Sequence, residues 1–102
     1  MTGSDLIARI SAGTAPTILD VRSHGEFASG HVPGALNVPF RELLRRVPAI
    51  PLSVDDPLVV YCRFGPRAWL AGAALRRHGF RRVEYLEGHM SEWQRAGLRE
   101  ET

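Results

Sequence analysis

The chain contains a single cysteine, Cys62, in a segment whose residue types suit nucleophilic chemistry beside an anion. The run 58–61 before it is apolar and rich in β-branched and aromatic residues, as in a buried strand, and Pro66 suits the first turn of a helix. In such a loop, backbone N–H groups and the positive end of the helix dipole stabilise a thiolate and hold an anion next to it. We therefore predict that Cys62 is a nucleophile, although a lone cysteine is often only a small buried hydrophobe. The candidate loop consists of Cys62, Arg63, Phe64, Gly65, Pro66 and Arg67.

Strand and helix patterns alternate along the chain and predict the elements that position this loop. Strands that alternate with helices form βαβ units, so we expect an α/β fold with a parallel sheet covered on both faces. Cys62 then lies at the carboxyl end of a strand, where such sheets bind ligands. The predicted strands are 17–21, 35–38, 58–61 and 83–86. The predicted helices are one between Ser4 as N-cap and Gly13, then 40–47, 66–78 with Leu70 and Leu75 packed on the sheet and Gly79 as its cap, and 91–96, with a loop or short helix opening at 23–26.

Length and composition indicate one small domain, spanning residues 1–102. No run of about eighteen apolar residues occurs, and the N-terminus lacks a basic stretch followed by an apolar one, so neither a membrane partner nor a signal peptide is predicted. One cysteine cannot form an internal disulfide, and four scattered histidines give no metal-ligand spacing. We expect no metal and a reducing, cytoplasmic setting.

The charge pattern excludes two further classes of function. All thirteen basic residues are arginine, so Schiff-base and lysine-base mechanisms are ruled out. The net charge of +2 is too small for a nucleic-acid footprint, and the arginine pairs at 45–46, 76–77 and 81–82 lack interleaved aromatic residues. These pairs are interpreted as solvated surfaces, with steering of small anions or of an acidic partner protein as the alternative.

Motifs outside the loop resemble those of the rhodanese (sulfurtransferase) domains. The resemblance covers residues 4–96 and implies a three-layer α/β/α fold with a central, mainly parallel sheet of about five strands. It also implies sulfur transfer through a Cys62 persulfide, with small sulfur donors and acceptors, or a protein thiol, as partners and with no cofactor. The matching segments are Leu19-Asp20-Val21-Arg22, Glu26-Phe27, Gly30-His31-Val32-Pro33-Gly34-Ala35, Asn37-Val38-Pro39, Gly79-Phe80, Val83, Leu86-Glu87-Gly88 and Trp93.

The spacing within the loop separates related chemistries on this fold. Arg67 lies five positions after Cys62, whereas in related cell-cycle phosphatases the arginine lies six positions after the cysteine. The shorter loop resembles that of the sulfur-handling members, so phosphatase or arsenate reductase activity is the less favoured hypothesis. A second alternative is a sulfur-carrier or regulatory module that acts on a partner protein and turns over poorly on free thiosulfate.

The resemblance also implies roles for individual side chains. Arg67 is expected to bind an anion and organise the loop, or instead to pair with a carboxylate of the first half of the chain. Arg63 is expected to recognise the donor, with a solvated side chain as the alternative, and Phe64 either shields the persulfide or fills a rim. Four further residues are expected to support the site as scaffold or charge pairs without touching substrate: Asp20, Arg22, Glu26 and His31.

Two positions depart from the family pattern. Pro66 has no N–H, so one donor is missing from the cradle that relatives complete. His89 stands where the family usually repeats a glycine after Gly88. We expect His89 either to enter the pocket and favour a thiolate through its charged form, or to be an exposed residue at a helix start.

Overall fold

A computed structural model describes all residues from Met1 to Thr102 and contains one parallel sheet of four strands. The strands are β1 (Thr17–Asp20), β2 (Leu36–Asn37), β3 (Leu58–Tyr61) and β4 (Val83–Tyr85), in the order β2-β1-β3-β4. This is one strand fewer than the resemblance implied. The additional pairing outside the sheet is a single antiparallel bridge between His31 and Glu101, which two backbone hydrogen bonds form without extending into a strand.

Helices cover both faces of the sheet, because every residue of β3 is buried, whichever face its side chain occupies. Leu58 and Val60 of β3 belong to one apolar cluster, whereas Val59 and Tyr61 belong to the other, because successive side chains of a strand point to opposite faces. The three-layer α/β/α arrangement is therefore confirmed. The helices are α1 (Gly3–Ala12), α2 (His24–Ser29), α3 (Phe40–Arg46), α4 (Pro66–Arg77) and α5 (His89–Arg95), with a short 3-10 helix at Val47–Ala49.

The helices belong to one or the other cluster according to their own apolar faces. Leu43 of α3 and Leu75 of α4 are fully buried in the first cluster, and Leu6 of α1 and Trp93 of α5 in the second. The side chains that α4 buries include three small ones, Ala68, Ala71 and Ala74. No helix has the length and apolar character needed to cross a membrane.

Two helix starts differ from those predicted from the sequence. The N-cap of α1 is Thr2 and not Ser4, because the Thr2 hydroxyl accepts a hydrogen bond from the Asp5 N–H at 3.0 Å. The helix α5 begins at His89 and not at residue 91, directly after Gly88 in the left-handed conformation. The two additional residues place His89 on a helix whose first turn donates backbone hydrogen bonds to the Cys62 and Arg63 carbonyls.

A buried network of polar side chains joins the carboxyl ends of β1 and β3. Asp20 has no exposed surface, and its carboxylate accepts hydrogen bonds from the Arg22 guanidinium at 2.8 Å and from the Tyr61 hydroxyl at 2.6 Å. Burial, together with the Asp20 charge, raises the pKa of Tyr61, so its hydroxyl stays protonated and donates. The same hydroxyl accepts a hydrogen bond from the Val32 N–H at 3.1 Å. Two hydrogen bonds thereby hold the side chain of the residue before Cys62.

We predict that Tyr61→Phe lowers the free energy of unfolding by about 1–3 kcal/mol, because it leaves the buried Val32 N–H without an acceptor and Asp20 without one donor. Urea unfolding of the variant measures this loss. The matched control is Tyr85→Phe, whose hydroxyl makes one hydrogen bond, to the exposed Arg76 side chain, and whose loss costs less than about 0.5 kcal/mol. Equal losses in the free energy of unfolding would show that the buried network stabilises the fold no more than an exposed hydrogen bond does.

Candidate active site

The Cys62 side chain lies at the end of β3, in the loop that leads into α4, and is almost fully buried at 1% exposure. The Gly65 N–H donates a hydrogen bond to the Cys62 Sγ at 3.0 Å. Gly65 has a φ of 129°, a backbone conformation that glycine adopts far more easily than other residues. This conformation turns the Gly65 amide back toward the sulfur. The loop therefore presents a backbone donor to the sulfur directly before α4 begins at Pro66.

Arg67 is engaged by a carboxylate and does not point freely into the site. Its two terminal nitrogens donate to the two carboxylate oxygens of Glu26 at 2.6 and 3.1 Å. Hydrogen bonding to Arg67 lowers the pKa of Glu26 to about 2, so this carboxylate stays charged at neutral pH. The same hydrogen bonds, with smaller contributions from the Cys62 and Asp20 charges, raise the pKa of Arg67. The bidentate pair ties α4, just after the loop, to α2 of the first half of the chain.

Arg63 and Phe64 lie on the outer side of the loop. The Arg63 guanidinium stacks over the Phe64 ring, 5.1 Å from its centroid, and no carboxylate lies within 4 Å of it. The Phe64 side chain is 68% exposed, so it forms a rim beside the loop. Arg63 is therefore a cation near Cys62 that forms no salt bridge.

His89 enters the site, but in a different state from the one predicted. Its Nδ1 accepts a hydrogen bond from the Cys62 N–H at 3.3 Å, which requires an unprotonated Nδ1. Burial lowers the pKa of His89, so the ring is neutral at neutral pH and carries its proton on Nε2. The hydrogen bond from Cys62 and the lowered pKa both disfavour the expected action through a charged form, because the ring is partly buried and faces a donor. His89 is also the one non-glycine residue with a left-handed φ, 54°, a rare backbone conformation for a side chain of this size.

The remaining predicted residues lie below or beside the loop. Asp20 and Arg22 form the buried ion pair described above, and Arg22 also donates to the Gly30 carbonyl at 2.7 Å. His31 bonds through Nδ1 to the Phe27 carbonyl at 2.8 Å and stacks on the Phe27 ring. No three His, Cys, Asp or Glu side chains lie where they would hold a metal ion.

Two features of the site were not predicted from the sequence. The Tyr61 hydroxyl was read only as part of an apolar strand, and nothing local reveals that it reaches Asp20, 41 residues earlier. Leu70 was expected to pack on the sheet but is 45% exposed, and together with Trp69 it lines a groove beside the loop. The helical spacing of Ala68, Ala71 and Leu75, all buried, places Leu70 on the opposite face and is the signal that would have shown this.

Comparison with known proteins shows the family of this chain. The family model described as Rhodanese-like domain matches residues 2–96, so the chain belongs to the rhodanese-like family. The chain is 41% identical over 100 residues to the HTH-type transcriptional regulator Rv0324 of Mycobacterium tuberculosis, a match that covers 96% of this chain and 42% of the regulator. It is 36% identical over 96 residues to a sulfurtransferase of Allochromatium vinosum, covering 93% of this chain and 88% of that protein.

A solved structure agrees with the observed fold. The human single-domain sulfurtransferase TSTD1 superposes with a TM-score of 0.81 at 29% identity, covering 93% of this chain and 94% of that one. Family membership and the similarity to named sulfurtransferases support sulfur transfer as the general chemistry of this fold and loop.

We predict that the pH dependence of stability reports the neutral state of His89. Because folding lowers its pKa, the unfolded chain takes up a proton at the ordinary value of about 6.5 before the folded chain does. The free energy of unfolding therefore falls as the pH drops below about 6.5. His89→Asn removes this contribution while keeping an acceptor and tolerating the left-handed backbone.

Urea unfolding at a series of pH values, from about 8 to about 5, tests the prediction. The difference between wild type and His89→Asn should be constant above neutral pH and should move in favour of the variant as the pH falls. A difference that does not change with pH would show that His89 titrates equally in the folded and unfolded states.

Proposed function

We propose that this chain is a sulfurtransferase that carries a sulfane sulfur on Cys62, taking it from a donor such as thiosulfate and passing it to cyanide or a thiol. The observation that carries the proposal is the Gly65 N–H at 3.0 Å from the Cys62 Sγ, in a loop that ends a parallel strand and begins a helix. A donor in this position stabilises negative charge on the sulfur before and after it is loaded.

In the first step the Cys62 thiolate attacks the outer sulfur of thiosulfate. A new S–S bond forms on Cys62, the S–S bond of thiosulfate breaks, and its electron pair leaves with sulfite. Cys62 becomes a persulfide whose terminal sulfur carries the negative charge. Arg63, which forms no salt bridge, is the side chain proposed to attract the anionic donor.

In the second step the acceptor attacks the terminal sulfur of the persulfide. The S–S bond on Cys62 breaks with its electron pair returning to Sγ, and thiocyanate or an organic persulfide is released. No second cysteine takes part, which suits a chain with one cysteine and a reducing, cytoplasmic setting.

The state of Arg67 favours sulfur transfer over phosphatase or arsenate reductase chemistry. A phosphate transition state needs a guanidinium that is free to bind its oxygens. Two of the five N–H donors of Arg67 are directed at Glu26, so Arg67 is proposed to hold the loop in shape and not to wrap an oxyanion.

A second candidate is a sulfur-carrier or regulatory module that acts on a partner protein. It is favoured by the match to a transcriptional regulator, since the chain spans 42% of that protein. Such a module loads Cys62 but releases sulfur slowly to small acceptors. Turnover on free thiosulfate and cyanide therefore separates the two candidates.

We predict that wild type incubated with thiosulfate gains the mass of one sulfur atom, and that added cyanide removes it with release of thiocyanate. Cys62→Ser gains nothing, because the chain has no other thiol. Intact-mass spectrometry follows both steps. Wild type unfolded in urea is the control, because it keeps the thiol without the loop. Equal loading of the folded and unfolded chains, or none, would contradict the proposal.

We predict that Gly65→Ala slows sulfur loading about tenfold or more, because a side chain at a φ of 129° costs about 1–3 kcal/mol and disturbs the N–H that contacts Sγ. An added Cβ would also stand 3.2 Å from the His89 Nε2. The matched control is Gly25→Ala in α2, where a Cβ meets nothing within 4 Å and no left-handed φ is needed.

The loading rates of the two alanine variants are compared by intact mass after both are shown by urea unfolding to be folded. Loading by Gly65→Ala at the rate of Gly25→Ala would mean that the shape of the loop does not activate Cys62.

A further inference from the structure

An open apolar groove of about 610 Å³ lies directly beside the Cys62 loop. Its volume falls within the range of about 300–1,000 Å³ that small-molecule sites occupy. Thiosulfate and cyanide are small, polar ions that have no use for an apolar wall. The residues that line the groove are Phe64, Gly65, Pro66, Trp69, Leu70, Tyr85 and His89.

Large apolar side chains in this groove are exposed to solvent, which is unfavourable unless the groove binds a ligand. Phe64 is 68% exposed, Trp69 63% and Leu70 45%, and all three lie within seven consecutive residues. Single exposed apolar residues are common on protein surfaces, whereas a contiguous apolar patch marks a binding site. The other exposed large apolar residues are Leu36, Leu44 and Val54, and none of them lines the groove.

The groove is continuous with the reaction centre. Gly65, which lines it, donates to the Cys62 Sγ at 3.0 Å, and His89, which also lines it, accepts from the Cys62 N–H at 3.3 Å. A molecule that fills the groove therefore touches two residues in direct contact with Cys62. The Cys62 side chain itself is buried and does not line the groove, so such a molecule has to meet the sulfur that a loaded Cys62 carries beyond Sγ.

Charge adds a second element of recognition. The Arg63 guanidinium lies 5.1 Å from the centroid of the Phe64 ring, which forms part of the groove. Arg63 forms no salt bridge, whereas Arg67 on the other side of the loop is held by Glu26. The apolar surface thus has a cation at its edge that is available to an anionic group of a ligand.

We propose that this groove is the acceptor subsite, and that the acceptor is an organic thiol with a ring-sized apolar body and a carboxylate. The proposal rests on the proposed function, because it assigns the second substrate of the same cysteine. The apolar body lies against Trp69 and Leu70, and the carboxylate pairs with Arg63. The acceptor thiolate attacks the terminal sulfur of the Cys62 persulfide, the S–S bond on Cys62 breaks with its electron pair returning to Sγ, and the acceptor leaves as its own persulfide.

Four acceptors of graded chemistry test the subsite on the intact 102-residue chain loaded with thiosulfate. Para-carboxyphenylmethanethiol has both the ring and the carboxylate, phenylmethanethiol has the ring alone, and mercaptopropionate has the carboxylate without a ring. All three carry sulfur on a methylene carbon, so their nucleophilicity is similar. Cyanide, which is too small to fill the groove, is the reference. The readout is kcat/KM for each thiol divided by kcat/KM for cyanide in the same variant.

We expect the ring-bearing carboxylate to be the best acceptor of wild type. Leu70→Ala should lower its ratio to cyanide about fivefold, because part of the apolar contact is lost. The matched control is Leu44→Ala, a leucine on α3 that is 41% exposed and does not line the groove, and its ratios should equal those of wild type. Arg63→Gln should lower the preference for para-carboxyphenylmethanethiol over phenylmethanethiol about threefold. It should leave the preference for para-carboxyphenylmethanethiol over mercaptopropionate unchanged.

Persulfide loading by intact mass is measured first in every variant and separates the two levels of the proposal. Absence of loading in wild type contradicts the proposed function itself. Normal loading with equal ratios for ring-bearing and ring-free thiols overturns the acceptor subsite alone and makes a protein partner the better occupant of the groove. A fall in the ratios with Leu44→Ala as large as that with Leu70→Ala also overturns it.

Discussion

The geometry around Cys62 depends on the buried carboxylate of Asp20. This carboxylate accepts hydrogen bonds from Arg22, two positions later in the chain, and from Tyr61 on the neighbouring strand. Arg22 in turn holds the Gly30 carbonyl, and the Tyr61 hydroxyl holds the Val32 N–H. Two strand ends and the segment after α2 therefore converge on one charge, and removal of any partner leaves a polar group buried without compensation. The cysteine loop begins at the residue after Tyr61.

The two ion pairs near the site have different structural roles. The pair of Asp20 with Arg22 is fully buried and fixes the strand ends, whereas the pair of Glu26 with Arg67 is about 30% exposed and joins α2 to the start of α4. Because each of these arginines has a carboxylate partner, neither contributes a free positive charge to the site. Attraction of an anion then falls to the loop amides, the start of α4 and Arg63. A modest positive field suits the proposed reaction, in which a persulfide must not be held too tightly to be passed on.

The fold and the position of the loop could be predicted from the sequence because both depend on patterns of neighbouring residues. The apolar runs and the Gly65-Pro66 turn around Cys62 need no distant partner to be recognised. The lowered pKa of His89 comes instead from its burial in the folded chain, where its Nδ1 accepts from the N–H of Cys62, 27 residues earlier. The sheet has four strands and not about five for a similar reason. Glu101 pairs with His31, 70 residues earlier, but the two segments form a single bridge and not a strand pair. Contacts of this range decide burial and charge, and local spacing cannot supply them.

The wall of the groove is a built part of the fold and not a gap left by poor packing. Gly72 on α4 has no side chain, and an added Cβ there would overlap the Tyr85 hydroxyl, so Tyr85 approaches the helix this closely only because this glycine is present. Arg76, one turn further along α4, donates to the same hydroxyl at 2.9 Å and stacks over the ring. Tyr85 is thus held from two sides while its ring still lines the groove. A surface whose wall is fixed in this way loses little conformational entropy when a ligand binds, which is what selective recognition of a small apolar body requires.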